Sequence, residues 1–305
     1  MNPQQMDTQQ NAERKSAAAR ETDPSPSAVS ESVAYPGPVG SHTASAAAAL
    51  FPSAELVPLA GFRAVADAVA EAEIPHGVLP IESSLVGPVA ETHDLLYDSP
   101  LAITGETVLP IRHFLVGPEK VPLTRVRAVH SHPVALDQCR MLLAAMPDAT
   151  AIAAATTADA AAYVAEQGDP AEVAIASERA ARLHGLELIA SDVGDHPEAF
   201  TRFVSLATHM RLDVNGKPWR TAFSFVTDHQ PGALHRAIEP FARHGIDLLQ
   251  LVSRPIPQSP WRYRFDAVLT GHPLDAIVRE TLGELRERTR LLRVFGSYPA
   301  EVHHD

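Results

Sequence analysis

The sequence predicts an α/β protein in two parts: a doubly wound, two-lobed domain over 32–208 and a ferredoxin-like βαββαβ module over 219–299. Three observations carry this prediction. Up to about residue 207 short apolar runs alternate with helical patterns, and several runs end in polar loops rich in Gly, Ser and Thr, as in open sheets that bind ligands at strand ends. A polar link at 213–217 then breaks the pattern. Beyond it come strand, amphipathic helix, two strands, a second amphipathic helix and a last strand, within about 80 residues, a usual module size.

Residues 1–31 hold Gln, Ser, Pro and Glu but no apolar segment, so a disordered tail is expected: too little apolar surface is available to offset the entropy of ordering. A strand over 32–35 leads into Gly37-Pro38-Val39-Gly40-Ser41-His42-Thr43, a glycine-bracketed turn opening onto a helix over 44–51. The free amides of that helix start, with the Ser41 and Thr43 hydroxyls, suit an anion. A strand over 55–59, a helix over 62–73 and a strand over 76–81 bring the chain to the loop Glu82-Ser83-Ser84-Leu85-Val86-Gly87-Pro88. Pro88 fits the first position of a helix whose face is Val89, Thr92 and Leu96.

Residues 101–117 read as two strands joined by a Pro-containing crossing, a hinge into a second lobe. There Ser131-His132-Pro133 starts a helix with Leu136, Cys139 and Leu143 on one face, and Thr156 caps the next. A strand over 172–176 ends at Ser177, which caps a helix over 178–184 before Gly185. A strand over 186–190 and Asp195-His196-Pro197-Glu198 then return the chain to Thr201-Arg202-Phe203. Several hydroxyl-bearing helix starts are thus expected to converge on one cleft.

In the module, strands are predicted over 221–226, 246–252, 262–269 and 291–295. One helix, over 231–244, turns Leu234, Ala237, Ile238, Phe241 and Ala242 inward, kinks at Pro240 and stops at Gly245. The other, over 273–289, buries Leu274, Ile277, Val278, Leu282 and Leu285.

A formal charge of −12 and the lack of a basic stripe argue against a general nucleic-acid binder. No apolar run is long enough for a membrane span, and no signal-peptide pattern opens the chain, so a cytoplasmic protein is expected. The single Cys139 excludes an internal disulfide and a Cys-rich metal site. No His-x-x-x-His face with a supporting carboxylate stands out among the 15 histidines, so no metal is expected. His113 and His132 read as hydrogen-bonded side chains, and His303 and His304 as solvated.

The chemistry gathers at Thr201-Arg202. A guanidinium grips a carboxylate bidentately, and a neighbouring hydroxyl can hydrogen-bond to a departing oxygen. This pair is the expected catalytic unit, with Ser41, Thr43, Ser83, Ser84, Thr156 and Phe203 as substrate contacts.

From Val33 to Pro299 the chain resembles prephenate dehydratases. The matching residues are Gly37-Pro38-Val39-Gly40-Ser41, Pro80-Ile81-Glu82, Ser84-Leu85, Gly87, Gly105-Glu106, Leu109-Pro110-Ile111, His113, Ser131-His132-Pro133, Ala135-Leu136, Gln138-Cys139 and Thr201-Arg202-Phe203. The module resembles an ACT domain through Pro231-Gly232-Ala233-Leu234, Ser253-Arg254-Pro255 and Gly296-Ser297-Tyr298-Pro299.

The resemblance implies a catalytic domain of periplasmic-binding-protein type with its site between the lobes. It also implies an ACT domain that binds phenylalanine at a dimer interface through Gly232, Ala233, Leu234, Ser253, Arg254 and Pro255, in a homodimer or homotetramer. The implied reaction takes prephenate to phenylpyruvate with loss of water and carbon dioxide and without a cofactor. Thr201 stands at the family's essential threonine, with Arg202 and the turn at Ser41 as anchors for the two carboxylates. The chain departs from the family at Ser83 and Ala199 (typically Asn), Val134 (usually Gln), His42 (usually aromatic), Val86 (often Glu) and Val252 (Glu expected). Two other readings stay open. One is a specialised decarboxylase or dehydratase acting on prephenate or arogenate, which retention of Thr201 disfavours; the other is an inactive ACT-type sensor, which Val252 disfavours.

Overall fold

The computed structural model describes residues 31–211, 218–257 and 259–301. Residues 1–30 of the expected tail, the link at 213–217, and His303 and His304 lie outside the described residues.

The first lobe contains β1 (Ser32–Pro36), α1 (His42–Leu50), β2 (Glu55–Leu59), α2 (Phe62–Ala70), β3 (His76–Ser83), β4 (Gly87–Pro88), α3 (Ala90–Asp98) and β5 (Ala102–Pro110). The second holds β6 (Phe114–Gly117), β7 (Ala128–Ser131), α4 (Pro133–Asp137), α5 (Arg140–Ala144), β8 (Thr150–Ala153), α6 (Thr157–Gln167), β9 (Glu172–Ala176), α7 (Glu178–Leu183) and β10 (Glu187–Ala190). The chain then returns to the first sheet as β11 (Phe200–Ala207). The C-terminal module is β12 (Trp219–Val226), α8 (Ala233–Arg243), β13 (Leu248–Pro255), β14 (Tyr263–Thr270), α9 (Ala276–Glu287) and β15 (Leu291–Pro299).

Three sheets follow, ordered β2-β1-β3-β11-β5 with β4 on β3, β10-β6-β9-β7-β8, and β13-β14-β12-β15. In the first, β1 runs parallel to β2 and β3, while β11 is antiparallel to β3 and β5. The third is the ferredoxin-like order. The two-lobed α/β domain and βαββαβ module read from the sequence are therefore present.

The local causes are visible in the elements. Helix α1 is HTASAAAAL, rich in the best helix former, and Ser41 Oγ accepts from Ala44 N–H at 3.1 Å. Thr156 caps α6 by accepting from Asp159 N–H at 3.0 Å, and Gly168 closes that helix in the left-handed region at φ 64°.

The first sheet buries both faces. One carries Val33, Tyr35, Val78 and Phe203 against Ala44 and Ala47 of α1. The other packs Leu79, Ile103, Val204 and Leu206 with α2 and α3, and runs on into Ala222, Val268, Phe295 and Tyr298 of the module. At this junction β15 lies so close to β5 that a Cβ on Gly296 would sit 2.1 Å from the Ile103 carbonyl oxygen. The module's own core is Phe223, Phe225 and Leu269 under Phe241, Leu282 and Leu285.

Several expectations are corrected, among them that Ala242, Leu274 and Ile277 face inward: all three are exposed. Pro88 belongs to the short β4, paired with Glu82, and α3 starts at Ala90. The helix expected through Cys139 is two, α4 and α5, because Asp195 accepts from the N–H groups of Arg140 and Met141 and starts a fresh helix there. Strands β7 and β8 were not predicted. Helix α8 starts at Ala233, two residues later than expected, behind Gly232 at φ 77°.

Candidate active site

The lobes are linked by two crossings, from β5 to β6 and from β10 to β11. Across the gap, three capped helix starts meet. Gly37 and Gly40, both at positive φ, bend the turn that precedes α1. A Cβ on Gly37 would lie 3.9 Å from both Ser41 Cβ and Thr156 Cγ2, so these two caps, one from each lobe, share one spot. Ser177 Oγ donates to the Gly40 carbonyl at 3.0 Å while accepting from Ala180 N–H at 3.1 Å. The start of α7 is thereby tied directly to the first lobe. Among the described residues the Thr43 hydroxyl makes no hydrogen bond. The expected convergence of hydroxyl-bearing helix starts is what the geometry gives; sequence reasoning did not foresee that Ser177 itself crosses between lobes.

His42, the first residue of α1, makes an edge contact with His113 at the crossing, ring centroids 6.4 Å apart. Burial, then the neighbouring imidazole, lowers the His42 pKa to about 4. His113 is lowered by burial, against a bond from its Nε2 to Gln138 Oε1 at 2.8 Å.

Strand β11 decides what Thr201, Arg202 and Phe203 can do. Neighbouring residues of a strand point to opposite faces. Thr201 lies opposite Ser83 on β3 and Leu109 on β5, and Leu109 packs on the α1 side. The Thr201 hydroxyl makes no hydrogen bond among the described residues. Arg202 lies on the other face, toward the C-terminal module, with Nη1 3.4 Å from Glu82 Oε2 and Nε 3.7 Å from Glu106 Oε2.

Two expectations are therefore revised. Arg202 is engaged by two carboxylates of its own chain on the face away from Thr201, not poised beside it for a ligand. Phe203, 2% exposed, packs in the core with α1 and is not a ligand contact.

The loop after β3 is built into the same region. Ser84 N–H donates to the Phe200 carbonyl, and Phe200 N–H donates to Ser84 Oγ, each at 2.9 Å. Ser83 Oγ accepts from Leu85 and Val86 N–H at 3.3 and 3.4 Å, holding the turn. That turn forms one wall of a cavity of about 620 Å³, with Leu85 and Val86 facing Val134, Gln138, Arg140 and His196 of the second lobe. Three of the nine lining residues, Leu85, Val86 and Val134, are aliphatic; Asp137 and Asp195 line it too, and Arg140 Nε donates to Asp137 Oδ1 at 2.8 Å.

The expected effector residues separate into two groups. Ala233 and Leu234 line a cavity of about 380 Å³ with Asp228 and His229, just past Gly232. Ser253, Arg254 and Pro255 lie on β13, with β14 between them and β12. Arg254 Nη2 donates to Asp94 Oδ2 of α3 at 2.7 Å. His244, Glu280 and Glu284 come close enough for a cation, yet Arg243 and Arg288 already bond Glu284.

A two-lobed α/β domain with a polar cleft between its lobes, followed by a βαββαβ module, defines the architectural class. The family model described as prephenate dehydratase matches residues 33–211, and the chain belongs to that family. It is 37% identical over 270 residues to a bifunctional chorismate mutase/prephenate dehydratase of Aquifex aeolicus, covering 88% of this chain and 73% of that one. To arogenate dehydratase 2 of Petunia hybrida it is 35% identical over 283 residues, covering 88% and 72%. Among solved structures, prephenate dehydratase of Arthrobacter aurescens in complex with L-Phe superposes with TM-score 0.81 at 29% identity, covering 89% of this chain and 93% of that one. A structure titled GqqA, a novel type of quorum quenching acylase, gives TM-score 0.81 at 30% identity, covering 88% and 98%.

Proposed function

We propose that this protein dehydrates and decarboxylates prephenate to phenylpyruvate in the cleft between its lobes, with the Thr201 hydroxyl as the group that assists departure of the ring oxygen. The observation that carries this reading is an uncommitted hydroxyl at the start of β11, on the sheet face shared with Ser83 and α1, in a chain of the prephenate dehydratase family. The carboxylate on the ring leaves as carbon dioxide, its bonding pair completes the aromatic ring, and the ring oxygen leaves as hydroxide. A hydrogen bond from Thr201 stabilises the charge growing on that oxygen; one donor aimed at such charge is worth about 10²–10³ in rate. The substrate carboxylates are held by the Ser41 and Thr43 hydroxyls at the start of α1, while Ser83 and Ser84 fix the loop beside Thr201. No cofactor enters this scheme.

The module is, in the same reading, an ACT-type regulatory domain of a cytoplasmic homodimer or homotetramer. The Arthrobacter relative carries L-Phe. Gly232 to Leu234 on one side and Ser253 to Pro255 on another suit an effector site completed by a second copy. Strand β13 is an edge strand with Leu249 and Leu251 exposed, a surface suited to pairing. Cys139, buried and pushed up to about 12 mainly by burial, stays an inert thiol in a reducing compartment.

Two alternatives are separable. Prephenate and arogenate differ by a keto group against an amine, and the aliphatic rim of Leu85, Val86 and Val134 favours an acyl chain if the GqqA likeness extends to activity. Purified protein is offered prephenate, arogenate and an N-acyl amide in parallel. Phenylpyruvate from the first, lost in Thr201→Ala, is the expected result; acyl release alone would replace the reading with amide hydrolysis.

A further inference from the structure

Glu106 is a carboxylate with no side-chain exposure, and the chemistry above does not use it. It projects from β5 toward the module. Its Oε1 accepts from Arg220 Nη1 of β12 at 2.6 Å and from Glu301 N–H just past β15 at 3.0 Å. Its Oε2 has no hydrogen bond and lies 3.7 Å from Arg202 Nε, which has none either. On its other flank Arg202 meets Glu82, whose Oε1 accepts from Gln250 Nε2 of β13 at 2.9 Å. Arg202 is thus held between two carboxylates, and a module side chain anchors each one.

We propose that Glu106, fixed by Arg220, is a positioning residue: it holds Arg202 on the module face of β11 and thereby sets the Thr201 hydroxyl on the cleft face. The coupling is short. Thr201 and Arg202 share a peptide unit, and Val204, next but one along the strand, pairs directly with Glu106. A buried charge between two guanidiniums has no water to replace a lost partner, so its geometry is stiff. Misplacing a reacting group by about 1 Å lowers rates by about 10²-fold. The C-terminal module therefore contributes to the basal reaction whether or not an effector is bound.

This inference rests on the dehydratase reading for its kinetic arm only. Glu106→Gln keeps the acceptor for Arg220 and Glu301 but removes the charge. It is expected to lower kcat on prephenate about 10- to 100-fold with KM within about twofold. Arg220→Met falls similarly, Arg220→Lys stays within about threefold of the parent, and the double variant Glu106→Gln/Arg220→Met is no slower than the slower single. Arg293→Met serves as the docking control, since Arg293 bonds the carbonyls of Tyr97 and Ser99 on the first lobe without touching Arg202; kcat within about twofold is expected. A second readout needs no substrate: amide hydrogen exchange over 200–204 quickens about tenfold in Glu106→Gln and is unchanged in Arg293→Met.

Parental kcat and parental exchange in Glu106→Gln overturn the proposal, as does an equal loss in Arg293→Met, which would leave docking as the whole effect. If the parent protein does not turn over prephenate, the dehydratase reading fails. The exchange arm then decides the coupling by itself, and unchanged exchange in Glu106→Gln overturns it.

Discussion

His42 sits where the second lobe closes over α1, and its environment makes an acid-sensitive point in the fold. Its pKa drops from 6.5 to about 4, so between those values the unfolded chain binds a proton that the folded chain does not. Stability is therefore lost as the pH falls through that window, by about 3 kcal/mol at full development. His42→Phe removes this proton uptake. Urea titrations at pH 7 and pH 5 are expected to show a smaller loss in the variant than in the parent; an equal loss would contradict the assignment. His42 was legible as a departure from the family, but its contact with His113 spans the hinge and leaves no local trace. Arg202 is a different case. The alternation of a strand already forbids Thr201 and Arg202 from sharing a face, so the expected joint grip was excluded by the reading of that stretch as a strand. What the sequence does not hold is the partners of Arg202: Glu82 and Glu106 arrive from two other strands, and are themselves bonded by Gln250 and Arg220 of the module.

At the level of elements, local chemistry made most of the fold readable. The caps Ser41, Thr156 and Ser177, the turn glycines 37 and 40, and the buried Ala237, Phe241, Val278, Leu282 and Leu285 of α8 and α9 are signals within a few residues of what they control. Strands β7 (AVHS) and β8 (TAIA) are only four residues long, too short for an alternation to stand out. The break between α4 and α5 depends on Asp195, more than fifty residues away. The joining of caps across the cleft gives a direct test. Ser177→Ala removes the α7 cap and the bond to the Gly40 carbonyl, so destabilisation of about 1–2 kcal/mol is expected in urea unfolding. A midpoint equal to that of the parent would mean that the inter-lobe bond adds nothing.

The sheet that carries Thr201 lies between α1 on one side and the module on the other. Gly296 marks how closely the two parts fit, because β15 leaves no room for a side chain over Ile103. Gly296→Ala must push β15 off β5 or strain it, with an expected loss of about 1–3 kcal/mol, and an unchanged urea midpoint would show that the contact yields freely. The role of the Thr201 hydroxyl is read out in one assay. Phenylpyruvate formation from prephenate is followed at mildly alkaline pH, where spontaneous aromatisation is slow, for the parent protein beside Thr201→Ala. Turnover in the parent and a fall of at least about 10²-fold in the variant are expected. Turnover that survives in Thr201→Ala, or a folded parent that leaves prephenate untouched, would contradict this role.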